Sequence, residues 1–280
     1  MDKQKANIIW FKDLGIEDVP LVGGKNAALG EMFANLTELG IKVPNGFAIT
    51  ARAYNDFLDK AGIRAGLEKI LKDLDTGNMR ALQKAGKKVR KLILKSYLPK
   101  ELEYEIAAAY KELGKQFGME TPDVAVRSSA TAEDLPDSSF AGQQETYLNI
   151  VGVKDLLEAV KKCIASLFTD RAISYRQDRG FAHTAVALSV GVQKMVRSDK
   201  STSGVAFSID TETGFDKVVV INGSYGLGEM IVQGKVTPDE FVVFKPTLAE
   251  GKRAIVARDI GVKDVKMIYG RKRTEIVKTS

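Results

Sequence analysis

The spacing of apolar residues changes once along this chain of 280 residues, and the change constrains the fold. Residues 51–118 follow a helical pattern that is interrupted at residues 75–78 and at Pro99. The residues that follow contain short apolar runs typical of strands, some of them separated by turns. The sequence therefore predicts an α+β fold, with a largely helical lobe of about residues 1–120 and a mostly antiparallel sheet in a lobe of about residues 121–280.

Within the second lobe, the pattern predicts one helix and several strands. The helix covers residues 153–179, and strands cover residues 185–196, 203–209, 217–221 and 240–245. The single cysteine, Cys163, falls in the predicted helix among apolar residues, which indicates a buried structural thiol.

The composition argues against several classes of protein. Because the chain shows no signal peptide and no apolar run near the ~20 residues that cross a bilayer, we expect a cytoplasmic protein with no membrane partner. The net charge of +6 includes a basic run at residues 87–91. That run has helical spacing and no interleaved aromatic residues, so it indicates a solvated helix face, and we expect no nucleic-acid partner.

The most informative segment is a polar loop that follows the apolar run Val124–Val126. It begins with Arg127 and continues through serine, alanine and threonine to two acids. Arginine offers a planar fork of donors for phosphate oxygens, and small residues let backbone N–H groups approach a ligand. The composition fits a phosphate-binding loop after a buried strand, and it fits a solvated surface loop equally well.

The order of the residues favours the first interpretation. The segment 126–149 resembles the phosphate-binding segment of the phosphoenolpyruvate synthase (pyruvate, water dikinase) family. Residues 21–50, which include LVGGKNAALGEM and VPNGFAIT, are similar to the opening motif of that family, and residues 222–241 resemble its later glycine-rich turn. These three ordered motifs identify the chain as a member of the family through its N-terminal ATP-binding domain. The resemblance implies an ATP-grasp-like fold that is incomplete at the C-terminus.

The resemblance also implies a nucleotide site. Lys25 follows a glycine pair that marks a helix start, where a cation and backbone donors suit phosphate. Arg127 is the expected catalytic residue, because its family counterpart contacts the transferred phosphates and offsets developing charge. Gly142 through its backbone and Thr146 through its hydroxyl are expected to line the site, and Gln193 to border the adenine pocket. Four of these roles have an alternative. Lys25 could be a surface lysine and Arg127 part of a structural salt bridge. Gly142 could be a turn residue, and Gln193 an exposed strand residue.

The family reaction passes through a histidine that this chain does not match. In the family, ATP phosphorylates a histidine on a separate domain, which then passes the phosphoryl group to pyruvate in a barrel domain. His183, the only histidine, lies in a different sequence context and is expected to be structural. The resemblance implies ATP and Mg²⁺ as cofactors, the phosphohistidine domain of a parent chain as partner, and metal ligands beyond residue 280. We therefore expect a truncated domain that does not complete the reaction alone.

Three alternatives stay open. The chain could belong to another dikinase, such as one resembling rifampin phosphotransferase, glucan water dikinase or pyruvate, phosphate dikinase. It could be a non-catalytic nucleotide-binding module, or, as a more distant alternative, a nucleic-acid-binding protein. A P-loop is excluded, because Lys25 follows adjacent glycines and is followed by asparagine, not by serine or threonine.

Overall fold

The computed structural model describes residues 2–131, 145–270 and 273–279. The chain forms two compact units, Met1–Met195 and Val196–Ser280. Helices and antiparallel strands are mixed in the chain, which confirms the α+β class. None of the helices in the described part has both the length and the apolar character needed to cross a membrane.

The first unit contains a five-stranded antiparallel sheet in the order β1-β2-β5-β3-β4. Its strands are β1 (Ile8–Trp10), β2 (Gly46–Ile49), β3 (Val124–Ala130), β4 (Thr146–Ile150) and β5 (Leu188–Lys194). Its described helices are α1 (Val19–Glu38), α2 (Ala51–Lys60), α3 (Arg64–Leu71), α4 (Met79–Lys95), α5 (Lys100–Gln116), α6 (Val153–Ser166) and α7 (Asp170–Asp178). The predicted lobe boundary near residue 120 falls inside this unit, between α5 and β3.

The helical pattern of residues 51–118 is confirmed by four helices, α2 to α5, with breaks at the two predicted places and a further break at residues 61–63 that was not predicted. Asn78 ends the break before α4 by capping that helix, because its side chain accepts a hydrogen bond from the backbone of Ala81. The helix predicted over residues 153–179 is two helices, α6 and α7. Thr169 separates them, because its hydroxyl accepts a hydrogen bond from the N–H of Ala172 and starts a new helix.

The sheet of the first unit separates two hydrophobic clusters, because side chains alternate between its faces. The larger cluster joins residues such as Phe47, Val126 and Val190 to apolar residues of α2 to α7. The smaller cluster lies on the opposite face and contains Ala48 of β2 and Val22 of α1. Helix α1 therefore packs on one face of the sheet, and the other helices pack against the opposite face.

Cys163 belongs to the larger cluster and is fully buried, as the sequence predicts. Burial raises the pKa of its thiol far above the usual range, and the S–H group lies 3.7 Å from the carbonyl oxygen of Val126. A neutral, enclosed thiol is a structural residue and a poor nucleophile.

The second unit is built on a four-stranded antiparallel sheet in the order β6-β7-β8-β9, with a separate two-stranded hairpin. Its strands are β6 (Thr202–Phe207), β7 (Val218–Tyr225), β8 (Asp239–Phe244), β9 (Ile255–Asp259), β10 (Val265–Tyr269) and β11 (Thr274–Lys278), and its described helices are α8 (Glu229–Val232) and α9 (Lys245–Ala249). The strands predicted over residues 203–209, 217–221 and 240–245 are confirmed as β6, β7 and β8. The last three strands were not predicted.

Candidate functional site

Lys25 lies just after a break in α1. The helix starts earlier than predicted, at Val19, and Gly23 interrupts it with φ 72° and ψ 161°. A Cβ atom at Gly23 would lie 2.3 Å from Oγ and 2.6 Å from the carbonyl oxygen of Ser129 in β3. Both the backbone angles and this close approach require glycine. The glycine pair therefore marks a kink that lets α1 contact the end of β3, and the exposed Lys25 follows this contact.

Asn26, the next residue, fixes this part of α1 to the sheet. It is 1% exposed, and its side-chain amide donates hydrogen bonds to Oγ of Ser189 at 3.0 Å and to the carbonyl of Val22 at 3.1 Å. Its backbone N–H donates to Oγ of Ser129 at 3.4 Å. A Cβ atom at Gly191 would lie 2.2 Å from Oδ1 of Asn26, so only glycine fits there. The helix that carries Lys25 is thus attached to the central strand, β5, and to its neighbour β3.

The sequence did not predict this anchoring group, which consists of Asn26, Ser129, Ser189 and Gly191. A local signal was present, because a serine and a glycine interrupt the apolar run LSVGV of β5 at alternate positions. Alternation along a strand places those two residues on the same face. The sequence does not show which residue contacts them, because Asn26 lies 163 residues from Ser189 along the chain.

Arg127 and Thr146 lie on the sheet face that α1 covers in part. Arg127 is directly opposite Thr146 on β4 and Gly191 on β5. Directly opposite residues of antiparallel strands present their side chains on one face, and Ser129, two residues along β3, shares that face. Arg127 and Thr146 are both exposed, in contrast to the buried residues on either side of Arg127. The face therefore carries a cation and a hydroxyl on adjacent strands.

Gln193 lies on the same face, two residues beyond Gly191 on β5 and opposite Ala125. It is partly buried, and its side-chain amide donates a hydrogen bond to the carbonyl of Pro44 at 3.1 Å. This bond holds the amide group at the edge of the face and leaves its oxygen as an acceptor. Gly142, the remaining predicted site residue, lies outside the residues that the structure describes.

Three of the five predicted residues, Arg127, Thr146 and Gln193, thus share one sheet face, and Lys25 lies on the helix attached to that face. The adjacent residue Lys194 differs, because its ammonium group forms a buried ion pair with Asp123 at 2.7 Å and its charge is matched within the unit. In the described ranges, no group of three or more histidine, cysteine, aspartate or glutamate residues is placed to hold a metal ion. The face is suited to bind anionic, hydrogen-bonding groups.

His183 lies in the segment between α7 and β5 and is partly buried. Burial and the nearby charge of Arg176 lower its pKa to about 4. It is therefore a neutral imidazole at neutral pH. Both of its ring nitrogens lack a hydrogen-bond partner among the described residues.

Comparison with known proteins gives a consistent result. The family described as "Pyruvate phosphate dikinase, AMP/ATP-binding domain" matches residues 19–280. The phosphoenolpyruvate synthase of Aquifex aeolicus is 56% identical over 270 residues, covering 96% of this chain and 32% of that protein. The phosphoenolpyruvate synthase of Synechocystis sp. is 55% identical over 285 residues, covering 99% and 35%, and that of Escherichia coli is 54% identical over 262 residues, covering 94% and 33%. The chain spans about a third of the length of these relatives.

Proposed function

Because this chain belongs to the pyruvate phosphate dikinase AMP/ATP-binding domain family, we propose that it is the ATP-binding portion of a phosphoenolpyruvate synthase. Its fold is proposed to be ATP-grasp-like. The observation that carries the proposal is the shared sheet face of Arg127, Thr146 and Gln193, with the helix of Lys25 attached to it. These four residues lie on one helix and three strands, and the sheet register places the side chains of three of them on the same face.

In this proposal, Arg127 and Lys25 bind the phosphates of ATP. The guanidinium of Arg127 forms two parallel hydrogen bonds to oxygens of the transferred group and offsets the charge that develops on them, which makes it the catalytic residue of this domain. Its position on a paired strand between β4 and β5 supports this role, because a rigid element holds a charged group in place without reorganisation. Lys25 contributes a point charge at the kink of α1.

The other site residues orient the nucleotide. Thr146, directly opposite Arg127, offers a hydroxyl to a phosphate or ribose oxygen, and Gly142 is proposed to contribute its backbone. Gln193 borders the adenine pocket, where the oxygen of its amide accepts a hydrogen bond from the base while its nitrogen is held by Pro44. A cationic part and an amide part on one face suit the two ends of ATP.

The parent protein is proposed to convert ATP, pyruvate and water to AMP, phosphoenolpyruvate and phosphate. The phosphoryl group would pass through a histidine on a further domain to pyruvate bound on another domain. His183 is unsuited to accept it, because both of its ring nitrogens are buried. Relatives about three times as long as this chain are consistent with further domains that supply these groups.

Magnesium is proposed to arrive with ATP. Mg²⁺ is usually held by one or two carboxylates together with substrate phosphates, and it keeps several water ligands. The described residues provide no cluster of three acidic or histidine ligands. In this proposal, the role of this chain is to bind and orient the nucleotide.

Calorimetric titration of the 280-residue chain with ATP in excess Mg²⁺ tests this proposal. We expect Arg127→Ala and Lys25→Ala each to weaken binding roughly tenfold or more, because each removes a charge-assisted contact worth ~1.5–3 kcal/mol. The matched controls are Arg171→Ala on α7 and Lys42→Ala before β2, which remove equally exposed cations elsewhere. If the controls weaken binding as much as the site variants do, the interaction is only a general attraction to positive charge, and the proposed site is wrong.

A further inference from the structure

Arg176 is a buried cation that the nucleotide site does not explain. It lies on α7 and is 0% exposed, and no described residue forms a hydrogen bond with any of its three side-chain nitrogens. Its one described contact with a ring is to Phe168, 5.3 Å from the guanidinium carbon to the ring centroid. A cation–π contact compensates only part of the hydration that a guanidinium loses on burial.

Two further polar groups without partners lie close to Arg176. Tyr54 of α2 is 2% exposed, and His183 follows α7; neither the phenol oxygen nor the two ring nitrogens have a hydrogen-bond partner among the described residues. Arg176 is near enough for its charge to act on the pKa of both groups, although burial is the larger cause in each case. These three polar side chains come from α2, from α7 and from the segment after α7, and that segment turns back onto the helix because the N–H of Phe181 donates a hydrogen bond to the carbonyl oxygen of Arg176 at 2.9 Å.

The cluster carries a positive charge and no negative one. The guanidinium has five N–H donors and no acceptor, whereas the phenol and the neutral imidazole each have one donor and can accept a hydrogen bond only as neutral groups. Burial lowers the pKa of Arg176 to about 10. Among the described groups, only the phenol of Tyr54 opposes this shift, because its charge would favour the charged form of Arg176. What the cluster needs is an acceptor with negative charge.

We propose that Arg176, Tyr54 and His183 form an internal binding site for a compact oxyanion, such as inorganic phosphate or a small carboxylate. The planar fork of Arg176 suits two oxygens of one such anion, and the other two side chains donate to the remaining oxygens. A larger ligand is excluded by the surroundings, because Tyr54 and Phe168 belong to the main hydrophobic cluster of the first unit.

This site is independent of the proposed nucleotide site. It is formed by α2, α7 and the segment after α7, whereas the nucleotide face is formed by β3, β4, β5 and α1. The ligand is also different, because three donors around one buried position match a single compact anion and lack the extended surface that a nucleotide needs.

Thermal unfolding at constant ionic strength tests the proposal. Phosphate, acetate and chloride are compared, using the wild-type chain, Arg176→Met and Arg179→Met. Arg179 is the matched control, because it is an exposed arginine at the end of the same helix, with its guanidinium over the ring of Tyr175. The comparison with Arg176→Met subtracts the general stabilisation that phosphate gives to most proteins.

We expect an oxyanion at ten to a hundred times its dissociation constant to raise the unfolding temperature of the wild type and of Arg179→Met by about 3–10 °C more than that of Arg176→Met. In chloride alone, Arg176→Met should unfold at or above the temperature of the wild type, because methionine fills a similar volume without a buried charge. A shift with acetate alone assigns the site to carboxylates, and a shift with phosphate alone assigns it to phosphate. Equal shifts in wild type and Arg176→Met with both anions would overturn the proposal.

A second variant and a direct observation keep the test decisive if Arg176→Met does not fold. Tyr54→Phe keeps the ring and removes one donor, so it should fold and bind the oxyanion several-fold more weakly. Crystals soaked in selenate should show an anomalous scattering peak beside the guanidinium of Arg176. Water molecules alone at that position, together with unchanged anion binding by Tyr54→Phe, would contradict the proposal.

Discussion

Arg127 and Arg176 belong to the same unit and carry the same charge, but their surroundings are opposite. Arg127 is exposed on a paired strand, on a face that it shares with Thr146 and Gln193. Arg176 is 0% exposed on a helix, and its guanidinium lies over the ring of Phe168 in the main hydrophobic cluster. The first guanidinium is accessible to water, whereas the second has lost its hydration on folding.

This difference in exposure determines whether the loss of each guanidinium should affect ligand binding or folding. An exposed guanidinium is hydrated before it binds, so its removal affects ligand binding more than folding. A buried guanidinium affects folding directly, because the free energy of unfolding includes the loss of its hydration and the contacts of its long stem. Substitutions that separate charge, volume and backbone geometry can therefore test the contrast.

The largest expected effect separates charge from volume at Arg176. Arg176→Ala should have a free energy of unfolding ~2–5 kcal/mol lower than that of Arg176→Met, because alanine leaves a cavity beside Phe168 that methionine fills. Both variants lack the charge, so their difference measures packing alone. Urea denaturation followed by circular dichroism gives the two values. Equal stabilities would show that the position is not packed as tightly as its 0% exposure indicates.

The next effect tests how the nucleotide face is connected to α1. Gly23→Ala should lower the free energy of unfolding by ~2 kcal/mol or more, because its φ of 72° strains any residue with a Cβ and that Cβ would overlap the backbone of Ser129. It should also weaken ATP binding by moving Lys25. The matched control is Gly40→Ala, which has a φ of 81° and open space around the new Cβ.

Gly40→Ala should lower the free energy of unfolding by only ~1 kcal/mol and leave ATP binding unchanged. If the two alanine variants lose equal stability, the left-handed backbone angle explains the whole loss, and the close contact between α1 and β3 contributes nothing further. If ATP binding is unaffected by Gly23→Ala, the attachment of α1 does not position Lys25. Denaturation and calorimetry on the same samples distinguish these results.

Local sequence patterns were sufficient to predict most of the helices and strands on which these residues lie. Helical spacing and turn residues predicted the helical stretch that contains α2 to α5, and short apolar runs predicted β5 and three strands of the second unit. The predicted boundary near residue 120 corresponds to the change from helices to strands, whereas the compact units divide at residues 195 and 196. The reason is that β3 pairs with β5, and the helices before it share one cluster with both strands.

The parts that could not be predicted depend on contacts between distant residues. Asn26 and Ser189 are 163 residues apart, and neither has a local pattern that names the other. The glycine at position 191 is explained only when the amide of Asn26 is seen against it. Arg176 appeared as one polar residue in a predicted helix, because helical spacing does not reveal which segment will cover it. The roles of Lys25, Arg127, Gly142, Thr146 and Gln193 stay predictions.

A smaller effect concerns pH and His183. Its pKa is about 4 in the folded chain and ~6.5 when unfolded, so the unfolded chain binds the proton first as the pH falls. Stability should therefore decrease between pH 6.5 and pH 4 and be unaffected by this residue above pH 7. Because His183 is only partly buried, we expect a loss of about 1–2 kcal/mol after allowing for solvent screening.

His183→Gln is the control for this pH dependence, because it keeps a polar side chain and removes the titrating group. The difference in stability between the two proteins should follow the pH window from 6.5 to 4, measured in phosphate-free buffer. Since His183 is the only histidine, its imidazole resonances also give the pKa directly by NMR. A measured pKa near 6.5 would show that the ring is hydrated in the folded chain.

The smallest effect on stability is expected at Arg127, and it decides between the two interpretations of that residue. Arg127→Ala should change the free energy of unfolding by less than ~0.5 kcal/mol, because the side chain is exposed on the sheet face. The same variant should weaken ATP binding roughly tenfold. A structural ion pair predicts the reverse, with a loss of stability and little change in binding. Urea denaturation and calorimetry of one variant therefore separate a ligand-binding cation from a structural one, whatever the outcome at the buried Arg176.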